Sequence, residues 1–198
     1  MMHGYSKTPR LNRTESPIFR LAKPYLQTRN NELHTRNAIE FAFRLLTIHR
    51  ADRAVVIPAL ILHDAGWSVV PEEIIRKTCR PRPDKSLLRI HEKESVEIAR
   101  DILKKVSYDS VRTTEILEII DGHDSRNKAF SINDQIVQDS DKLTRYAGSF
   151  RFLAGLTPIT LEKLAGTLEQ FIDQWFFLPD SKEMARAELV QRRIEMSF

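Results

Sequence analysis

The sequence holds a single cysteine, Cys79. No internal disulfide can form, so packing or a metal must hold the fold, which suits a reducing compartment. Glycine is scarce, with 6 in 198 residues, which disfavours a loop-rich β fold. The longest apolar run, AVVIPALIL, is about half the length a bilayer span needs, so no membrane partner is expected. The first residues, MMHGYSKTPRLNRTESPIF, contain no stretch like a signal peptide, and a cytoplasmic protein is the default expectation. Convincing apolar/polar alternation, internal repeats and low-complexity tracts are all missing.

What is present is ordinary for a soluble globular domain, at 41% hydrophobic and 29% charged residues. One domain with a sizeable core is expected from the length. The net charge of +4 is unevenly placed. Residues 1–30 carry Lys7, Arg10, Arg13, Arg20, Lys23 and Arg29 against Glu15 alone, and the remainder is close to neutral. Residues 1–29 therefore read as a partly ordered basic arm. Because no aromatics interleave with these charges, nucleic acid is not an expected partner.

Beyond this arm the 3.6-residue period runs through most of the chain. ELHTRNAIEFAFRLLTIH sets Ala38, Phe41, Ala42, Leu45 and Ile48 on one stripe, whose backward extension lands on His34. ADRAVVIPALILHDAG has a cap at Asp52 and a stop at Gly66, and Pro58 predicts a kink or a helix beginning near it. WSVVPEEIIRKTCRPRPDKS reads as a proline-punctuated connector with one short helical turn at PEEIIRK. SLLRIHEKESVEIARDILKKV aligns Leu88, His91, Ile98, Ala99 and Ile102, and YDSVRTTEILEIIDGHDS aligns Ile116, Ile119, Ile120 and His123. A fifth helix around NDQIVQDSDKLTRYAGSF sets Val137 and Asp141 four apart. Two more, TLEKLAGTLEQFIDQWFF and DSKEMARAELVQRRIEM, flank Pro179. QFIDQWFFL reads as a cap on the core, with a homodimer contact as the alternative. The fold class is all-α.

On this reading His34, His63, His91 and His123 each lie on the apolar stripe of a different helix. His49 continues a stripe too and is given no role. One such histidine is ordinarily a core residue bonded to backbone. Four on four helices, with Asp64 and Asp141 beside them, would be costly. An unpartnered buried polar group costs roughly 1–3 kcal/mol, and an unpaired buried charge more. A divalent cation supplies the compensation, since neutral imidazoles and ionised carboxylates are its ligands. His63 and Asp64, adjacent and about 100° apart on a helix, can both reach one ion beside it. Histidine and carboxylate suit manganese, iron, cobalt, nickel or zinc, and the set has room for one or two ions.

These residues resemble the HD superfamily of metal-dependent phosphohydrolases, through ELHTRNAIEFA with His34, LILHDAG with His63 and Asp64, and VQDSDKL with Asp141. RIHEKESVEIARDIL and IIDGHDSR match the two further histidines of the superfamily's extended form. The resemblance implies an HD-type bundle of about five core helices plus additional C-terminal helices. Residues 30–150 would form the metal-binding core, and 151–198 would be helices packed on the same domain. By the same carry-over, His34, His63, Asp64 and Asp141 would bind a first metal and His91 and His123 a second, with Asp64 as the bridge. Asp139 ranks below Asp141 because the superfamily's aspartate directly precedes a basic-Leu pair. Trp67 stands where some signalling members carry lysine, which argues against a cyclic-dinucleotide phosphodiesterase. AGWSVV lacks the acidic residues of members that hydrolyse the stringent-response alarmone.

The expected activity is hydrolysis of a small phosphate ester, nucleotide-like, by metal-activated water. Asp64 would act in catalysis as well as binding, Asp124 as general acid or base, and Lys142 against charge on the phosphate. Arg145 is the first choice for substrate binding, then Arg126 and the loop residues Arg80, Arg82 and Lys85. Two alternatives share the ligands: a di-iron oxygenase, with Tyr25 near the iron, and a metal-stabilised, non-catalytic module that binds a nucleotide or a partner.

Overall fold

The computed structural model describes residues 11–78, 84–147, 150 and 159–197. Among them are nine α-helices and no strand. They are α1 (Glu15–Ala22), α2 (Asn31–Ile48), α3 (Arg53–Leu62), α4 (Glu72–Thr78), α5 (Lys85–Lys105), α6 (Ser110–Ile120), α7 (Ile132–Leu143), α8 (Leu161–Trp175) and α9 (Pro179–Met196). Short 3₁₀ turns cover Lys23–Leu26, Thr28–Asn30 and Ala65–Val69.

Side-chain caps decide where most helices begin. Asp52, Asp84, Asp109, Ser131 and Thr160 each accept a hydrogen bond from a backbone N–H in the first turn of the helix they precede. The central element is α3, buried along its whole length from Val55 to Leu62. A helix apolar all round belongs in the middle of a bundle, and α1, α2, α5, α6 and α7 pack around it.

Pro58 lies inside α3 without ending it. Proline has no N–H to give the carbonyl four residues back, that of Ala54. The Tyr108 hydroxyl, arriving from the turn before α6, donates to that carbonyl at 2.6 Å. The helix therefore continues through Pro58. It ends at Leu62, four residues before the stop expected at Gly66.

The amino-terminal segment is built into the bundle from Asn12 onward. Asn12 and Glu15 cap one another across the start of α1, through Glu15 N–H to Asn12 Oδ1 at 2.9 Å and Asn12 N–H to Glu15 Oε2 at 2.8 Å. The fully buried Glu15 carboxylate takes both Nε and Nη2 of Arg53, at 2.7 and 2.8 Å. Ile18, Phe19, Ala22 and Leu26 join the core. Within the expected arm of residues 1–29, a charge tally concealed this short apolar stripe.

The last two helices pack on the same core through Leu164, Leu168, Ile172, Met184 and Leu189. Asp139 ties them down. Its buried carboxylate accepts from the backbone N–H of Phe177 at 3.0 Å and of Leu178 at 2.9 Å, just ahead of α9. Two residues further along α7, about 200° around the helix, Asp141 turns to the opposite side.

The bond from Tyr108 to Ala54 is a stability determinant independent of any ligand. Replacing Tyr108 by Phe leaves the Ala54 carbonyl without its donor, at an expected loss of about 1 kcal/mol. Denaturant unfolding measures it, and an unchanged midpoint would contradict this role.

Candidate metal centre

Five elements bring their polar residues to one place. His34 stands in the first turn of α2 and His91 in the second turn of α5. Asp141 lies near the end of α7. His63 and Asp64 occupy the turn after α3, and His123 and Asp124 the turn after α6. Periodicity alone sets His63 and His123 on helical stripes. Instead α6 ends at Ile120, because Gly122 takes φ 116°, a region that side-chain-bearing residues avoid. Asp64, at φ −105° and ψ 7°, has likewise left helical geometry.

The two turns are alike in detail. His63 Nδ1 donates to the carbonyl of Leu60 at 2.8 Å, and His123 Nδ1 to that of Ile120 at 2.9 Å, each three residues back. A carbonyl only accepts, so each Nδ1 carries hydrogen and each neutral ring keeps its lone pair on Nε2. His34 reaches the same state through Thr144. The Thr144 hydroxyl donates to the Asp141 carbonyl at 2.6 Å, so its oxygen must accept from His34 Nδ1 at 3.2 Å. When neutral, all three rings thereby present the Nε2 lone pair, as ligating histidines do.

Those Nε2 atoms converge. His34 Nε2 lies 3.2 Å from His63 Nε2, 2.9 Å from Asp141 Oδ1 and 3.5 Å from Asp64 Oδ2. His63 Nε2 is 3.6 Å from Asp64 Oδ2 and from Asp141 Oδ1. On the other side, His91 Nε2 lies 3.4 Å from His123 Nε2, and the two lie 3.5 and 3.6 Å from Asp64 Oδ1. Asp124 Oδ2 follows at 3.7 and 4.0 Å. The two Asp64 oxygens thus face two different pairs of imidazoles. Ligands about 2.0–2.2 Å from a common ion sit roughly 3–3.5 Å from each other, so these separations fit two adjacent cations. The donor set suits divalent ions.

Electrostatics point the same way. Burial would raise Asp64 and Asp141, yet the surrounding histidines hold both well below the usual carboxylate range. Burial opposes charge on His63 and His123 too. The Asp64 and Asp141 carboxylates still raise His63, and Asp64 and Asp124 push His123 up to about 10. His91, where burial dominates, falls to about 4 and stays neutral. The cluster attracts positive charge.

The remaining sequence candidates separate. Arg145 comes to the second group, its Nη2 3.3 Å from Asp124 Oδ1. Lys142 Nζ turns back along α7 to Gln138 Oε1 at 3.2 Å and over the Phe177 ring. Arg126 is not brought to the cluster. It closes the loop after α6 through Asp134 Oδ2 at 2.8 Å and the carbonyls of Glu118, Asp121 and Lys128. Lys85 bonds Asn127 on the surface, Tyr25 packs against the core, and Arg80 and Arg82 lie outside the described residues.

Several side chains that hold the site carry no local signal in the sequence. Glu92, fully buried on α5, accepts from the backbone N–H groups of Asp124 and Ser125 at 2.9 and 2.8 Å and so fixes the second turn. Gly66 N–H donates to Ser95 Oγ at 2.8 Å. A methyl group on Gly66 would lie 2.2 Å from the His91 carbonyl and 2.5 Å from the Ser95 nitrogen, both backbone atoms. The 3₁₀ turn can dock on α5 only because that position is glycine. Asp124, expected as an acid or base, stands among possible ligands of the second group.

The class that fold and site define is an all-α bundle in which His and Asp side chains form overlapping groups able to hold a metal ion. The family model for the HD domain matches residues 32–146, more than half the chain, and the protein belongs to that family. Searches of curated proteins and of solved structures return no significant match. Among the described residues no helix is long and apolar enough to cross a membrane.

Gly66→Ala must push α5 away from the site, with an expected loss of at least about 2 kcal/mol; thermal unfolding tests it, and a stable variant would contradict the tight docking. Metal loading must also release a proton, because His123 is pushed up to about 10 and a cation has to displace the proton it holds. Manganese titration calorimetry at pH 7, in buffers of different ionisation enthalpy, should give different apparent heats, with affinity rising as pH rises. Heats independent of buffer would contradict the protonated state.

Proposed function

We propose that the protein is a metal-dependent phosphohydrolase acting on a small phosphate ester, nucleotide-like in character. The observation that carries this reading is the division of the Asp64 carboxylate between two histidine pairs, with a guanidinium alongside. His34, His63, Asp141 and Asp64 would hold one divalent ion, and His91, His123, Asp124 and Asp64 a second. An ion bound there lowers the pKa of its water toward about 7 and polarises a phosphoryl oxygen.

The chain's own residues supply the rest. Leu60, Ile120 and Thr144 keep three imidazoles in the ligating tautomer. Glu92 holds the turn that presents Asp124. Burial works against the Arg145 charge, but Asp124, Asp141 and Asp64 more than offset it and keep the guanidinium protonated. A fixed cation at that place can meet negative charge developing on a transferring phosphoryl group.

A panel of nucleoside monophosphates and sugar phosphates, assayed with manganese, cobalt or zinc under nitrogen, tests the proposal. Release of inorganic phosphate without dioxygen is expected. Asp64→Ala, which removes a ligand from both positions, should lower kcat by about 10³-fold or more, and chelation should abolish turnover. Full activity in Asp64→Ala, or product formation only when oxygen is admitted, would overturn it.

A further inference from the structure

His91 differs from the other three histidines of the cluster. Their Nδ1 atoms donate to Leu60, Ile120 and Thr144, whereas His91 Nδ1 is buried with no hydrogen-bond partner among the described residues. Something else must hold this ring. The indole of Trp67 lies parallel to it, with 4.0 Å between ring centres and 12° between planes.

Trp67 touches a second ligand as well. Its Nε1–H donates to Asp64 Oδ1 at 3.0 Å, and Oδ1 is the oxygen that faces His91 and His123. The indole is itself pinned. Gly66, the preceding residue, is docked against the backbone of α5, and the Arg29 guanidinium lies 4.1 Å from the Trp67 ring. A flat ring with an imidazole and a guanidinium both about 4 Å away has them on opposite faces, so it has little room to move. Trp67 is buried, so this contact is internal.

The two halves of the cluster are therefore unequal. In the first, His34 and His63 are anchored by hydrogen bonds and Asp141 Oδ1 is directed at both. In the second, His91 Nδ1 has no hydrogen-bond partner among the described residues and its ring is stacked on Trp67, Asp64 Oδ1 is shared with an indole N–H, and Asp124 divides its oxygens between the histidines and Arg145.

We propose that the His91/His123/Asp124 position binds its cation more weakly than the His34/His63/Asp141 position, and that Trp67 is the positioning residue of that weaker site. The proposal rests on the metal-binding reading above. The stack fixes the plane of His91, and the indole N–H fixes the Asp64 oxygen that the second ion needs. A protein arranged this way exchanges its second ion while retaining the first.

The test is manganese titration of the full, chelator-stripped chain, followed by calorimetry and by elemental analysis after gel filtration. The wild type should take up two ions, the first bound at least about tenfold more tightly. Trp67→Leu removes both contacts and should weaken the second ion by about 10–100-fold, the usual range for a lost ligand support, leaving the first within twofold. Trp67→Phe keeps a ring on His91 and removes only the N–H; it should weaken the second ion by about threefold to tenfold. It also decides the matter if the leucine variant does not fold. Two equal sites in the wild type, an unchanged second ion in Trp67→Phe, or equal weakening of both ions would overturn the role of Trp67. A wild type that takes up no ion would overturn the metal reading itself.

Discussion

The structure depends on one buried carboxylate. Asp64 sits among four imidazoles, with each of its oxygens facing a different pair. An isolated charge there would be expelled or neutralised. Histidines from α2, α5 and the turns after α3 and α6 hold it ionised, and in doing so fix how those elements approach one another. The apolar core brings α3 to the centre of the bundle; Asp64 determines what gathers at its carboxyl end.

The same arrangement links packing to chemistry. The histidine of each His-Asp pair bonds a carbonyl three residues back, so the end of a helix orients a proposed ligand. Both turns need a glycine close by, for different reasons. Gly122 supplies a backbone angle, while Gly66 supplies clearance against α5. Outer contacts then separate the two halves: hydroxyl and carbonyl acceptors support the first, while one carbonyl, an aromatic ring and an arginine support the second.

Much of this was legible in the sequence. Histidines on apolar stripes are visible because burial of a polar group is costly, and the HD pattern orders them. The two C-terminal helices and the cap at Asp52 follow from local chemistry, and the structure has them. Helix ends at the site were not legible. Periodicity carries a helix through His63 and His123, whereas a glycine at positive φ and a turn at Asp64 stop it. Glu92, Thr144 and Trp67 act through partners distant in the chain, which no local pattern encodes. Arg126 looked available for a phosphate, but Asp134 and three carbonyls occupy it. For Asp124 a signal did exist: GHDS repeats the His-Asp pair of LILHDAG, and both histidines bond a carbonyl three residues back.

The most direct test of this account is a crystal structure of manganese-loaded protein, with anomalous scattering collected to locate the ions. The account requires two peaks, one on each side of the Asp64 carboxylate, the first beside His34, His63 and Asp141 and the second beside His91, His123 and Asp124. A single peak bound through one Asp64 oxygen, or saturating metal with no peak at this cluster, would contradict it.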